Sequence, residues 1–251
     1  MTIPNLLSDG YERKARLYPA LVLLLPVLAC VVAITAASLS SLQSVAITLG
    51  GCGGAFFLAQ LARDAGKHGE QALFARWGGM PSVAILRHRD NRVDAITKAR
   101  YHQKLSALVK GTKTPTAAAE AAGAAGSDQM YAAWSTYLRV HTRDTKKYSL
   151  LFQENVNYGY RRNLWGLRRL GILTSALSTV TAVTVAYVRS QRTGALSEAV
   201  AGAAAISVVF LVLWTFRFTA TWVRIPAEAY AERLMETIDN MGSKAQATKK
   251  A

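Results

Sequence analysis

Acidic residues are scarce in this sequence: 15 aspartates and glutamates stand against 30 lysines and arginines, a formal net charge of +15. Cysteine is scarcer still. The two present, Cys30 and Cys52, both fall inside apolar stretches. That excludes a disulfide framework and a paired-cysteine metal site, and leaves two small apolar side chains. Charged residues make up 18% of the chain against roughly 25% in a soluble domain, and apolar residues make up 51%. The shortfall is uneven: 17–37, 45–62, 170–188 and 199–216 hold no charge at all. No Walker loop, dinucleotide fingerprint, GxSxG elbow or HExxH occurs, so no motif-borne nucleotide or hydrolase chemistry is indicated. No aspartate, glutamate or lysine lies deep in an apolar run, which argues against a proton-coupled transporter or a pump. Four runs without inverted halves argue the same way.

What is present is a membrane pattern. Each apolar run has about the length of a bilayer-crossing helix. Pro19 opens the first run, and the interior Pro26 is expected to kink it. Arg13, Lys14 and Arg16 precede that run as they would precede a signal peptide. Its length and the second run that follows favour an uncleaved span. The expected fold is therefore all-α: an integral membrane protein with four transmembrane helices and a helical cytosolic domain between the second and third. The expected segments are a cytosolic lead-in at 1–16, a transmembrane hairpin at 17–63, a basic domain at 64–169, a second hairpin at 170–222, and a C-terminal helix and tail at 223–251. Most of the lysine and arginine, and all four histidines, fall in the middle segment. By the positive-inside rule both termini and this segment face the cytoplasm. The excess of positive charge then reads as contact with anionic lipid more readily than with nucleic acid.

Within the middle segment, 62–77 continues the second span as helix until Gly78, Gly79 and Pro81 break it. The periodicity predicts an amphipathic helix over 81–110, with Val83, Leu86, Val93, Ile96, Leu105 and Leu108 on its apolar side and Gly111 as C-cap. The alanine-rich 111–127 reads as a loop or a marginal helix. A helix over about 128–142 would align Tyr131, Trp134, Leu138 and His141. The stretch 146–163 is mixed. The uncharged 38–44 and the polar 189–198 read as turns, and 224–239 as a helix.

Two polar clusters are candidate ligand sites. The first is Arg87, His88, Arg89, Asp90, Asp94 and His102, with Asp90, Asp94, Lys98 and His102 at four-residue steps on one helical face. It reads as a metal or phosphate site, or as a helix surface laced with ion pairs. The second is Tyr158, Tyr160, Arg161, Arg162 and Asn163. It reads as a headgroup anchor, or as a phosphate or nucleotide site with stacking aromatics. Gly50, Gly51, Gly53 and Gly54 would let helices approach closely, at a pore or in plain packing. No bound metal or cofactor is expected.

Trp77-Gly78-Gly79, Arg87-His88-Arg89-Asp90, 97–102, 142–144 and 158–163 together resemble an uncharacterised family of bacterial membrane proteins. The layout is also similar to small transmembrane effectors of anti-phage defence. The resemblance implies an oligomeric inner-membrane protein, channel-like or membrane-disrupting, gated by its cytosolic domain. Its partners would be the lipid bilayer, further copies of itself, and a cytosolic protein or nucleotide ligand. An anchored scaffold that docks an acidic partner, nucleic acid or lipid is the alternative. A metal-dependent enzyme built on His88, Asp90, Asp94 and His102 is the third.

Overall fold

A computed structural model describes residues 10–35 and 41–241, with the side chains of 41–52, 55 and 124 left out. The described residues are helical and contain no strand. In chain order the helices are α1 (Gly10–Thr35), α2 (Ser41–Trp77), α3 (Pro81–Ala84), α4 (Ala95–Leu108), α5 (Ala117–Ala122), α6 (Ala124–His141), α7 (Ser149–Thr193), α8 (Glu198–Arg217) and α9 (Ala220–Glu236). A single 3₁₀ turn, Thr237–Asn240, follows α9. The chain divides into two compact units. One, the apolar unit, holds residues up to 71 together with 159–223; the other, the polar unit, holds 72–158 and the residues from 224 on.

Among the described residues three helices are long and apolar enough to cross a membrane: α1, α7 and α8. The fourth expected span, 45–62, lies on α2, and much of it falls outside the residues whose side chains are described. In the apolar unit α1 packs on α7 and α8 through Cys30, Ala182, Val200 and Ala203, and on α2 through Ala20 and Ala59. Outward ridges stay bare: Leu21, Leu25, Leu28 and Val32 on α1, and Leu173, Leu177, Val180 and Val183 on α7. Apolar rows of that size are rare on soluble monomers and suit a lipid environment. Helix ends in this unit are closed by arginines. Arg189 donates to the Ile34 carbonyl at the end of α1 (2.8 Å). Arg168 donates to the carbonyls of Trp214 and Thr215 (3.0 and 2.6 Å), inside the π-helical last turn of α8. Such carbonyls lack ordinary helical partners and need an external donor.

The polar unit has its own core: Ile85, Leu86, Leu105, Tyr131, Trp134 and Leu138, closed by Leu234, Met235 and Ile238 of the C-terminal segment. Tyr131, Trp134 and Leu138 are buried as their spacing predicts, but His141 is exposed and stacks on Tyr137. The expected break after Trp77 is present, with Gly78 and Gly79 both at positive φ (+76° and +132°). A Cβ on Gly79 would lie 2.6 Å from the end of the Arg87 side chain, and at this φ any L side chain is strained, so glycine is favoured there.

The single helix expected over 81–110 is corrected to α3 and α4 with an irregular stretch between them. Two aspartates divide it. The Asp90 carboxylate accepts the backbone N–H of Arg92 (3.0 Å), an Asx turn. Asp94 then caps α4 by accepting the N–H of Thr97 (2.8 Å). Ile96, expected on the apolar side, is 83% exposed in consequence. Helix α6 starts at Ala124 rather than near 128, and the mixed stretch 146–163 is mostly the first part of α7. Ser41 to Ser44, expected as a turn, are already helical; 36–40 lie outside the described residues.

Candidate functional site

The first candidate cluster is built around the turn between α3 and α4, entirely within the polar unit. Arg87 is its pivot. Its Nε and Nη2 donate to the two carboxylate oxygens of Asp128 on α6 (2.9 and 2.7 Å), and its Nη1 donates to the Gly78 carbonyl (2.7 Å). This is the two-pronged geometry that a planar guanidinium and a carboxylate favour. Glu120, buried in the middle of the alanine tract, accepts the backbone N–H of His88 (2.9 Å) and the hydroxyl of Tyr131 (3.0 Å). Burial, reinforced by this bond, pushes the Tyr131 phenol well above its ordinary pKa, so it stays a donor. Lys98 is buried as well, and its ammonium donates to the carbonyls of Arg87 (2.8 Å) and Asp90. Burial lowers its pKa against the pull of Asp90.

His102 lies at the centre. It is 2% exposed and sits among the rings of His88 (5.1 Å), Tyr131 (5.5 Å) and Trp134 (5.5 Å). Its Nε2 is 2.8 Å from the Leu86 carbonyl, and a carbonyl only accepts, so Nε2 carries the proton of the neutral ring. Burial lowers its pKa, and the Leu86 carbonyl offsets only part of that. Asp90 belongs to the turn instead of the helix face. Burial alone would raise its carboxyl, but the bonds from Arg92 outweigh it and hold the group below the usual range. Asp94 is spent on its cap, and Arg89 is exposed. A cleft of about 120 Å³ remains, with His88, Asn91, Lys98 and His102 on its wall. Among the described residues no three histidine, cysteine or acidic side chains converge as metal ligands.

A pH prediction follows from His102. Its folded pKa lies below the unfolded value, so below about pH 6.5 the unfolded chain binds a proton that the folded chain refuses. Stability is therefore fully present above that pH and falls as pH drops through it. Asp90, whose pKa is also depressed, adds its own loss only at more acidic pH, near the carboxylate range. Lys98, Glu120, His88 and the Tyr131 phenol are the other titratable groups facing the ring. Urea unfolding in detergent at pH 7.5 and 5.5 checks it: the midpoint falls for the natural chain and changes much less for His102→Gln.

Of the second cluster, Tyr158 belongs to the polar unit and Tyr160 to Asn163 belong to the apolar unit. Its arginines are engaged within that unit. Arg161 donates to the Trp222 carbonyl (3.0 Å) and lies over the Trp222 ring (4.8 Å), with Tyr160 edge-on to the same ring. Arg162 meets Glu70 of α2 (3.1 Å) and bonds the side chain of Asn163. Asn163 donates to the Ala15 carbonyl of α1 (2.7 Å) and lies against Gly66. These polar side chains thus tie α1, α2 and α7 together. Close backbone approach occurs here too. A Cβ on Gly166 would meet the backbone of Ala65 and Gly66 at 2.5 to 2.8 Å. Gly53 and Gly54, by contrast, meet no neighbour within 4 Å among the described residues, and the surroundings of Gly50 and Gly51 lie outside them.

Glu120, Asp128 and Arg168 were not singled out by sequence. Glu120 interrupts an alanine tract, which is the only local signal any of them offers. The fold and site together define a class: a protein whose described residues are all-helical, with three membrane-length apolar helices among them and a separately cored polar unit. No protein-family model, curated protein or solved structure matches the chain.

Proposed function

We propose that this chain is an oligomeric, multi-pass protein of a bacterial inner membrane, with four spans and both termini in the cytoplasm. Its polar unit senses a trigger and its spans respond by breaching the membrane, as a defence effector would. The carrying observation is helical continuity. Helices α2, α7 and α9 each supply residues to both compact units without a break in the helix. A conformational change in one unit is transmitted along a helix far better than along a loop, because packed helices switch between discrete arrangements. The bare leucine and valine ridges support the membrane setting. The concentration of basic residues supports the orientation.

Two measurements test it. A tag inserted beside Thr116 is expected to resist labelling from outside intact cells. Cells that express the chain are expected to lose membrane potential on phage challenge, with entry of an otherwise excluded dye. Labelling of the tag would reverse the topology. An intact membrane under challenge, with expression verified, would end the effector reading and leave the anchored scaffold.

A further inference from the structure

The corner where α6 gives way to α7 collects cations without acids to match them. Arg139, Arg143, Lys146 and Lys147 are all exposed there. Most other arginines of the polar unit are paired: Arg87 with Asp128, Arg92 with Asp90 and Glu228, Arg100 with Asp239, Arg224 with Glu228, Arg233 with Glu236. The exposed Arg76 and Arg89 have no ion pair among the described residues, but neither borders this corner. Arg139 instead donates only to the Thr136 hydroxyl (2.9 Å), and Arg143 has no hydrogen-bond or ion-pair partner among the described residues. Asp144, the one acid in this turn, is occupied by the backbone N–H groups of Lys146 and Lys147 (both 3.0 Å). Both arginines border one open cleft of about 250 Å³, and Thr142, Phe152, Asn155 and Tyr230 border it with them.

We propose that this cleft binds a nucleotide, with Arg139 and Arg143 on its phosphoryl group and Phe152, Tyr230 and Asn155 around its base. Two unneutralised guanidiniums at one mouth match the oxygens of a phosphoryl group, whose charge and geometry suit bidentate donors. A phosphoryl group alone would not need the rest of the wall. Aromatic rings stack on bases for about 1–3 kcal/mol each, and an asparagine amide both donates to and accepts from a base edge. The volume lies just under the roughly 300–1,000 Å³ of drug-sized pockets, enough to seat a base and a phosphoryl group in a cleft that is open at its mouth. A lipid headgroup shares the phosphoryl chemistry but brings no ring to stack. Every residue of the cleft lies in the polar unit, so the inference goes beyond the membrane reading and does not depend on it.

Calorimetric titration of the full-length protein in mild detergent separates the sources. The probes are the four nucleoside monophosphates, inorganic phosphate, and glycerol 3-phosphate as a soluble lipid headgroup. At least one nucleotide is expected to bind saturably and at least tenfold tighter than the other two probes. Arg139→Gln and Arg143→Gln are each expected to weaken it about tenfold or more, the worth of one charge-assisted hydrogen bond. Arg76→Gln, exposed and away from the cleft, is expected to leave it unchanged. Both cleft arginines are exposed, so these variants keep the fold. Three results would overturn the proposal: no saturable nucleotide binding, undiminished binding by both cleft variants, or glycerol 3-phosphate bound as tightly as any nucleotide. The last would reassign the cleft to lipid headgroups.

Discussion

Gly166→Leu is expected to force α2 and α7 apart and to lower the thermal midpoint of the detergent-solubilised protein by roughly 10 °C. The reasoning is steric. A Cβ at this position would stand 2.5 Å from the Gly66 nitrogen, 2.6 Å from the Ala65 carbonyl carbon and 2.8 Å from the Gly66 Cα. All three are backbone atoms inside a helix, so no side-chain rotation relieves the clash. The helices must separate, and the Asn163 bond to Ala15 and the Arg162 pair with Glu70 loosen with them. Overpacking costs about 1–3 kcal/mol where side chains can adjust; here they cannot, so the upper end applies. Gly53→Leu is the control. Gly53 is exposed on the same helix α2, and a Cβ there meets nothing within 4 Å among the described residues. Removing a mid-helix glycine is worth about 0.5–1 kcal/mol in the stabilising direction. An unchanged midpoint for Gly166→Leu, or equal losses for both variants, would show that the close crossing at Gly166 is not what holds these helices.

That contrast marks where the sequence was readable. The dense glycines at 50–54 attract notice because density is a local property. The crossing at Gly66 and Gly166 requires knowing that two helices 100 residues apart meet there, which no local pattern encodes. Breaks written in backbone chemistry were readable: Gly78 and Gly79 adopt positive φ, and Pro81 starts a helix. The period of Tyr131, Trp134 and Leu138 was readable because burial of a helix face repeats every three to four residues. The turn at 85–94 was not. Asp90, Asp94 and Lys98 mimic an ion-paired helix face, yet they do not pair with one another along a helix: Asp90 makes an Asx turn and an ion pair with Arg92, Asp94 an N-cap, and Lys98 bonds to two carbonyls. Aspartate serves both roles equally well, and only the tertiary partners decide between them. Arg162 and Asn163 misled in the opposite way. A juxtamembrane arginine reads as a headgroup anchor, but this one is 7% exposed and meets Glu70.

Arg87→Met is expected to destabilise the polar unit by about 3 kcal/mol, the low end for breaking a buried ion pair. Arg87 is 7% exposed and makes three hydrogen bonds that join the end of α2, the turn after α3, and α6. Its loss leaves the Gly78 carbonyl without this donor and Asp128 without its counter-ion. The Asp128 side chain is 30% exposed, so water screens part of that loss, which keeps the estimate from rising further. The sharper test is the paired change. If the cost comes from a stranded carboxylate, Arg87→Met with Asp128→Leu recovers most of the stability, since replacing both partners of a buried pair by apolar groups is often neutral. If Arg87 matters mainly through the Gly78 carbonyl, the double variant stays as unstable as Arg87→Met alone. Urea unfolding of the three variants separates the two cases. Because the Asp128 contact is two-pronged and joins opposite charges, it is the stronger of the two, and recovery is the expected result. A loss below the error of the measurement in Arg87→Met would mean that the turn holding His88, Asp90 and His102 is supported by Glu120 and Lys98 without it.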